Sequence, residues 1–180
     1  HAHIAERQSS SGLGDVTGIS VGGVEIRTRP GSPFHGKGMQ KGPGVATGWF
    51  ADMEMTLVWP EEIGYHTSEY IDDDDWKERI SDSGESSIHS LLEGWGPGCW
   101  PTLLSSSRAF VENSGLLDDG GRGNILNKVE SAISKTGEGA IASLCLLGNS
   151  VVITRRELVV PVDLDHIEKA LSGSGLRVKR

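Results

Sequence analysis

A chain of 180 residues with 36% hydrophobic content can build one core, and its 25 glycines predict many turns. A net charge of −8 excludes nucleic acid as a default partner, because neutralising phosphates needs a clustered basic surface. No apolar run approaches the length of a membrane span and no signal-peptide pattern is present, so the expectation is a cytoplasmic chain with no membrane partner.

Residues 1–14 (HAHIAERQSSSGLG) read as a flexible N-terminal segment. The start His1-Ala2-His3 without an initiator Met reads as processed or trimmed; a free amine with a third-position His is also a copper-holding pattern. Two β-prone runs, Val16 to Val21 and Val24 to Thr28, flank Gly22-Gly23 in a hairpin position. HGKGMQKGPG is a glycine-rich loop without the Gly-Lys-Ser/Thr ending of a phosphate cradle. WFADMEMTLVW fits a helix or a strand, and Pro60 ends it either way.

The acidic run Asp72–Asp75 reads as a solvated loop, since four adjacent carboxylates cannot converge on one metal ion. Ile88, Leu91, Leu92 and Trp95 then recur at helical spacing, with Ser86 or Ser87 placed to cap. TLLSSSRAFVE reads as one or two strands, and Ile125 to Ser134 as a helix with Ile125, Val129, Ala132 and Ile133 on one face. AIASLCLLGN predicts a strand buried on both faces, VVITRRELVVPV a further strand or pair, and LDHIEKALSG a short amphipathic helix. Residues 173–180 read as a flexible tail. The order of elements predicts an α+β or α/β domain over 15–172.

Three chemistries compete. Cys99 in GPGCWPTLL suits a cysteine nucleophile at a helix start, but it needs a histidine, and His35, His66, His89 and His166 carry no distinguishing context. A half-buried thiol in a turn is the alternative, and Cys99 and Cys145 are expected free and reduced. A Ser-His-Asp triad has no Gly-x-Ser-x-Gly elbow to support it. A serine paired with a neutral lysine needs the amine on a water-excluded surface. Lys128 in NILNKVESAI fits that best, with a solvated helix-surface lysine as the competing reading.

Four stretches in order, GDVTGISVGG (14–23), DSGESSI (82–88), ILNKVESAI with AIASLCLLGN, and VVPVDLDHIEKAL, resemble the proteolytic domain of Lon-type proteases. The compact ATP-independent proteases that process birnavirus polyproteins are the nearest match. The resemblance implies an α+β Lon-like domain of mixed small sheets packed against a few helices. It implies a serine endopeptidase with Ser86 or Ser87 as nucleophile and Lys128 as general base. The turn before the helix of Ile88 would hold the oxyanion. No metal, nucleotide or other cofactor is required, and the partner is an extended peptide or polyprotein in the host cytoplasm. Ungapped, Glu85 falls in the nucleophile column, which would leave an inactive Lon-fold or binding module; Cys99 gives a second alternative.

Overall fold

The computed structural model describes residues 5, 8, 18, 19, 21–29, 31, 34, 35, 40–61 and 68–180. The segment read as 1–14 lies almost wholly outside the described residues, as do His1, His3, His66 and most of the run at Val16. The chain divides into two compact units, His1–Asp52 and Met53–Arg180.

In the first unit, β1 (Val24–Arg29) pairs antiparallel with β4 (Val45–Trp49), while the two-residue strands β2 (Phe34–His35) and β3 (Gln40–Lys41) pair with each other. The expected hairpin at Gly22-Gly23 does not form. Gly18, Ile19 and Val21 are helical and Gly22 N–H donates to the Gly18 carbonyl at 2.9 Å. Positive φ at Gly22 (78°) and Gly23 (66°) stops that turn and releases the chain into β1.

The second unit is a four-stranded antiparallel sheet in the order β6-β7-β5-β8, built from β5 (Thr56–Pro60), β6 (Ala140–Leu144), β7 (Val151–Arg155) and β8 (Leu176–Lys179). Helices α1 (Ser68–Ile71), α2 (Asp74–Leu92), α3 (Trp100–Asn113) and α4 (Arg122–Thr136) join β5 to β6. Helix α5 (Leu164–Leu171) joins β7 to β8. This is a split β-α-β arrangement with two extra helices and one short turn of helix in its first crossover. The fold is a mixed α+β one of small antiparallel sheets and several helices.

The core lies where α4 and α5 cover one face of this sheet. Ile125, Leu126, Val129, Ala132 and Ile133 of α4 and Leu164, Ile167 and Leu171 of α5 are buried. They meet Val58, Ala140, Ala142, Val151 and Ile153, the inward alternates of three strands. The amphipathic stripes expected at Ile125 and Leu164 are the stripes that pack.

Three segments differ from expectation. The acidic run is not a loop: Asp73 caps α2 by accepting from Trp76 N–H at 2.8 Å, and Asp74 and Asp75 occupy the first turn, where the helix dipole favours negative charge. TLLSSSRAFVE is helical, with Trp100, Leu104 and Val111 buried at helical spacing and Pro101 in the first turn. Residues Leu176–Lys179, read as part of a flexible tail, form a strand that pairs with β5.

Because α2 starts at Asp74, Gly84 sits inside a helix. A Cβ there would meet only the Phe110 ring, at 3.9 Å, an ordinary contact. Gly84→Ala is therefore expected to stabilise the protein by about 0.5–1 kcal/mol, read from the urea midpoint. A destabilised Gly84→Ala would mean that this stretch is a turn after all.

Candidate functional site

The stretch expected to carry the nucleophile is a continuous part of α2. Ser87 Oγ donates to the Ser83 carbonyl at 2.8 Å, and Ser90 Oγ bonds both the Ser87 carbonyl (2.9 Å) and Ser106 Oγ of α3 (3.0 Å). Ser86 and Glu85 are exposed on the same helix. A helix interior spends its amides on its own carbonyls, so the oxyanion-holding turn expected before Ile88 is not there. Lys128 is exposed on α4, while Ile125, Leu126 and Val129 turn inward, so the dry surface that a lysine base needs does not surround it. No hydrogen bond joins Lys128 to a serine among the described residues.

Cys99 stands at the entry to α3, half-buried, and both it and Cys145 are free thiols. His89 Nδ1–H donates to the Glu85 carbonyl at 2.8 Å, and His166 Nδ1 lies 3.4 Å from Glu138 Oε1. Neither ring serves Cys99. Burial pushes the Cys145 thiol up, with a smaller opposing effect from its hydrogen bond to Ser150.

Two polar constellations take the place of the expected dyad. The first lies in the first unit. Glu25 and Arg27 alternate with buried Ile26 and so share one face of β1, with Arg27 Nη2 3.3 Å from Glu25 Oε1. Their cross-strand neighbours on β4 are Gly48 and Ala46. Directly opposed residues crowd one another in a sheet, and the small partners let Val21 and the Gly22 backbone close over this face: a Cβ on Gly48 would fall 2.8 Å from Val21 Cγ1. Glu25 Oε2 is buried without a hydrogen-bond partner among the described residues, which leaves one carboxylate oxygen set to accept from a donor. Gly18 contributes closeness, since a Cβ there would fall 3.2 Å from Glu25 Oε1.

The second lies at the N-terminal end of α4. Arg122 is 1% exposed; its Nη1 donates to Asp119 Oδ2 at 2.7 Å and its Nη2 to the Leu147 carbonyl at 2.7 Å. Tyr70 of α1 donates its hydroxyl to the same Asp119 oxygen at 2.7 Å, and the guanidinium carbon lies 4.9 Å from the Tyr70 ring centre. Burial pushes the Tyr70 hydroxyl up, and its bond to Asp119 adds to this. Burial pushes Asp119 up too, but the hydrogen bonds from Tyr70 and Arg122 outweigh it and hold the carboxyl below its ordinary value.

Arg122 thereby ties the α3–α4 loop to the loop between β6 and β7. That second loop is closed by Gly148 N–H to the Cys145 carbonyl and Cys145 N–H to the Ser150 carbonyl, both at 2.9 Å. Leu146 within it has φ 40°, a left-handed conformation that costs a leucine on the order of 1 kcal/mol or more. The first amides of α4 are already taken: those of Arg122, Gly123 and Asn124 donate to Asp119, Leu117 and Gly121 carbonyls. The helix end is thus a structural clamp and offers no ready anion cradle.

Sequence reading passed over Glu25, Arg27, Tyr70, Asp119 and Arg122. The available signals were Glu-x-Arg in VEIRTR, which puts opposite charges on one strand face, and Asp119 three residues before Arg122 in a glycine-rich turn.

Three known proteins are similar to this chain, two named as kinases and one as a phosphotransferase. A pantoate kinase of Thermococcus kodakarensis is 33% identical over 116 residues, covering 64% of this chain and 34% of that protein. A pantoate kinase of Methanocaldococcus jannaschii is 29% identical over 160 residues, covering 87% of this chain and 50% of that protein. A solved structure described as a phosphotransferase related to the CoA biosynthesis pathway matches with a TM-score of 0.65 and 28% identity, over 99% of this chain and 51% of that one. No family model matches. The chain spans about half the length, or less, of the proteins it matches. These similarities overturn the Lon-type and birnavirus-protease resemblance, and with it the serine endopeptidase, the polyprotein substrate, the viral setting and the Cys99 alternative. Short motifs in a shared order had carried that resemblance; the similarity to kinases extends along the chain. Among the described residues no helix is long and apolar enough to cross a membrane.

Proposed function

We propose that this chain is part of a small-molecule kinase acting on pantoate or a closely similar hydroxy acid. The observation that carries this is the agreement of two curated relatives with one solved phosphotransferase, whose fold similarity extends over 99% of the chain. The same coverage supports reading the stretch 15–172, together with β8, as one functional body.

The β1 constellation suits such a substrate chemically. Pantoate carries a carboxylate and hydroxyls on a branched aliphatic body. A guanidinium takes a carboxylate in a two-bond fork, and an unpartnered carboxylate oxygen accepts from a hydroxyl. Arg27 and Glu25 would supply one of each from the face of β1 that they share. A kinase also takes a phosphoryl donor, ordinarily a nucleoside triphosphate with a divalent cation, whose role is positioning and charge neutralisation.

The test is ADP release by the natural protein supplied with ATP and pantoate, with the phosphorylated product followed by phosphorus NMR. Release that does not depend on pantoate or a related hydroxy acid would sink the reading. For Ser86, Ser87 and Lys128 we propose a surface and helix-internal role. Ser86→Ala and Lys128→Ala are each expected to leave turnover within about twofold of wild type, since surface substitutions cost little. A hundredfold loss in either would return them to the chemistry.

A further inference from the structure

β6 is an edge strand, and beside its outer edge runs a groove. Its deeper part, about 240 Å³, is walled by α3, α4 and β6; an adjoining hollow of about 350 Å³ follows the strand toward Gly137. Both are lined by Glu130, Ile141, Ala142 and Arg156. The floor of the deeper part is apolar, with Leu104, Val111, Leu126 and Leu144 among its buried lining.

The register shows what β6 offers to this groove. Cys145 N–H bonds the Ser150 carbonyl and Arg156 N–H bonds the Gly139 carbonyl, so the odd-numbered residues 141 and 143 bond toward β7. Ala140, Ala142 and Leu144 therefore turn their backbone N–H and C=O groups outward, and these make no hydrogen bond with another described residue.

The charges on the rim are not all answered. Arg108 donates through Nε to Glu112 at 2.6 Å and through Nη1 to Glu130 at 2.8 Å, so these three close on one another. The Arg156 guanidinium, which lines both hollows, makes no hydrogen bond or ion pair with another described residue. Its backbone is nevertheless held, by the 2.9 Å bond to Gly139. An unpaired cation beside an apolar hollow and a row of unpaired strand amides is the layout of a small-ligand site.

From this we infer a second ligand site, distinct from the Arg27 constellation, for a small aliphatic carboxylate. The aliphatic body would lie on the Leu104–Leu126 floor and the carboxylate would pair with Arg156 and the outward amide of Ala142. A groove of about 240 Å³ with an apolar floor admits the body of a short branched acid. β6 runs from this groove straight into the Cys145–Ser150 loop that Arg122 holds, which gives occupancy of the groove a route to that loop. The inference does not depend on the kinase reading.

The test is titration of the full chain with 3-methylbutanoate and, separately, with neutral 3-methylbutanamide, followed by amide NMR. The acid is expected to shift the Ser107, Ala142, Ser143 and Leu144 signals saturably, with a dissociation constant on the order of 1 mM. The amide should bind about tenfold more weakly. Arg156→Gln should weaken the acid about tenfold and erase the preference for it, and Ser107→Phe, which fills the hollow, should abolish the shifts at an unchanged melting temperature. Absence of saturable shifts at these amides, or equal affinity for the acid in wild type and Arg156→Gln, overturns the site.

Discussion

Replacing Arg122 by methionine is expected to lower the unfolding free energy by roughly 3 kcal/mol. Methionine fills most of the volume, so the loss comes from the partners it abandons. The Leu147 carbonyl and Asp119 Oδ2 both receive a 2.7 Å bond from a guanidinium that is almost wholly buried. The readout is a lower urea midpoint at an unchanged slope. Arg122→Lys should recover less than half, because a compact ammonium cannot reach an acid and a carbonyl in different loops through one planar fork. A midpoint within about 0.5 kcal/mol of wild type would show that the β6–β7 loop holds its shape without the clamp.

The same network gives stability a pH dependence of known sign. Asp119 is held below its ordinary value in the fold, so its contribution is fully present above the unfolded carboxylate pKa of about 3.9 and is lost as pH falls through the lower folded value. Tyr70 is pushed up, so its contribution is fully present below the unfolded value of about 10 and is lost as pH rises through the folded one. Asp119→Asn should remove part of the acid limb and Tyr70→Phe should reduce the alkaline shift. Denaturant midpoints measured across pH would separate the two.

Arg27→Met is expected to raise the KM for pantoate by about ten- to a hundredfold, because a bidentate charge-assisted contact is among the strongest single hydrogen-bonding interactions. The kcat should change much less if Arg27 only binds the carboxylate, since binding that is equal in ground and transition states moves KM alone. Stability should fall by no more than about 1 kcal/mol, because the Arg27–Glu25 pair is partly exposed. Initial rates over a pantoate series, with a melting curve for each variant, decide this. Pantoate kinase activity with an unchanged KM would remove Arg27 from the site and leave the kinase reading standing.

Much of the architecture was legible where one physical signal dominated. The 3.6-residue stripe of Ile125, Val129, Ala132 and Ile133 and that of Leu164, Ile167 and Leu171 admit one buried face each, and they became α4 and α5. The apolar run from Ala140 became β6, though as an edge strand with alternating burial and not the strand buried on both faces that an unbroken apolar run suggests. Signals failed where two readings shared the same residues. Leu103-Leu104 and Phe110-Val111 look like strand pairs, yet the face that packs is Trp100, Leu104 and Val111. Gly84 and five serines read as a turn, but Asp73 had already capped the helix and the glycine rests against Phe110. Lys128 follows Ile125 and Leu126 in the chain, and adjacency along a helix says little about facing, because successive residues are 100° apart.

Composition and periodicity by themselves pointed to an α+β chain with two amphipathic helices and a hydrophobic strand. Those properties follow from local spacing, which the chain carries wherever it folds. The tertiary structure alone decided that Tyr70, Asp119, Arg122 and Leu147 meet, that Glu25 and Arg27 face Gly48 and Ala46, and that Ser87 and Ser90 bond carbonyls of their own helix. Such meetings join residues up to 77 positions apart, Tyr70 to Leu147 through Arg122, and arise from strand order and helix packing. No local pattern encodes them, so motifs in a shared order could suggest a dyad that the packing does not build.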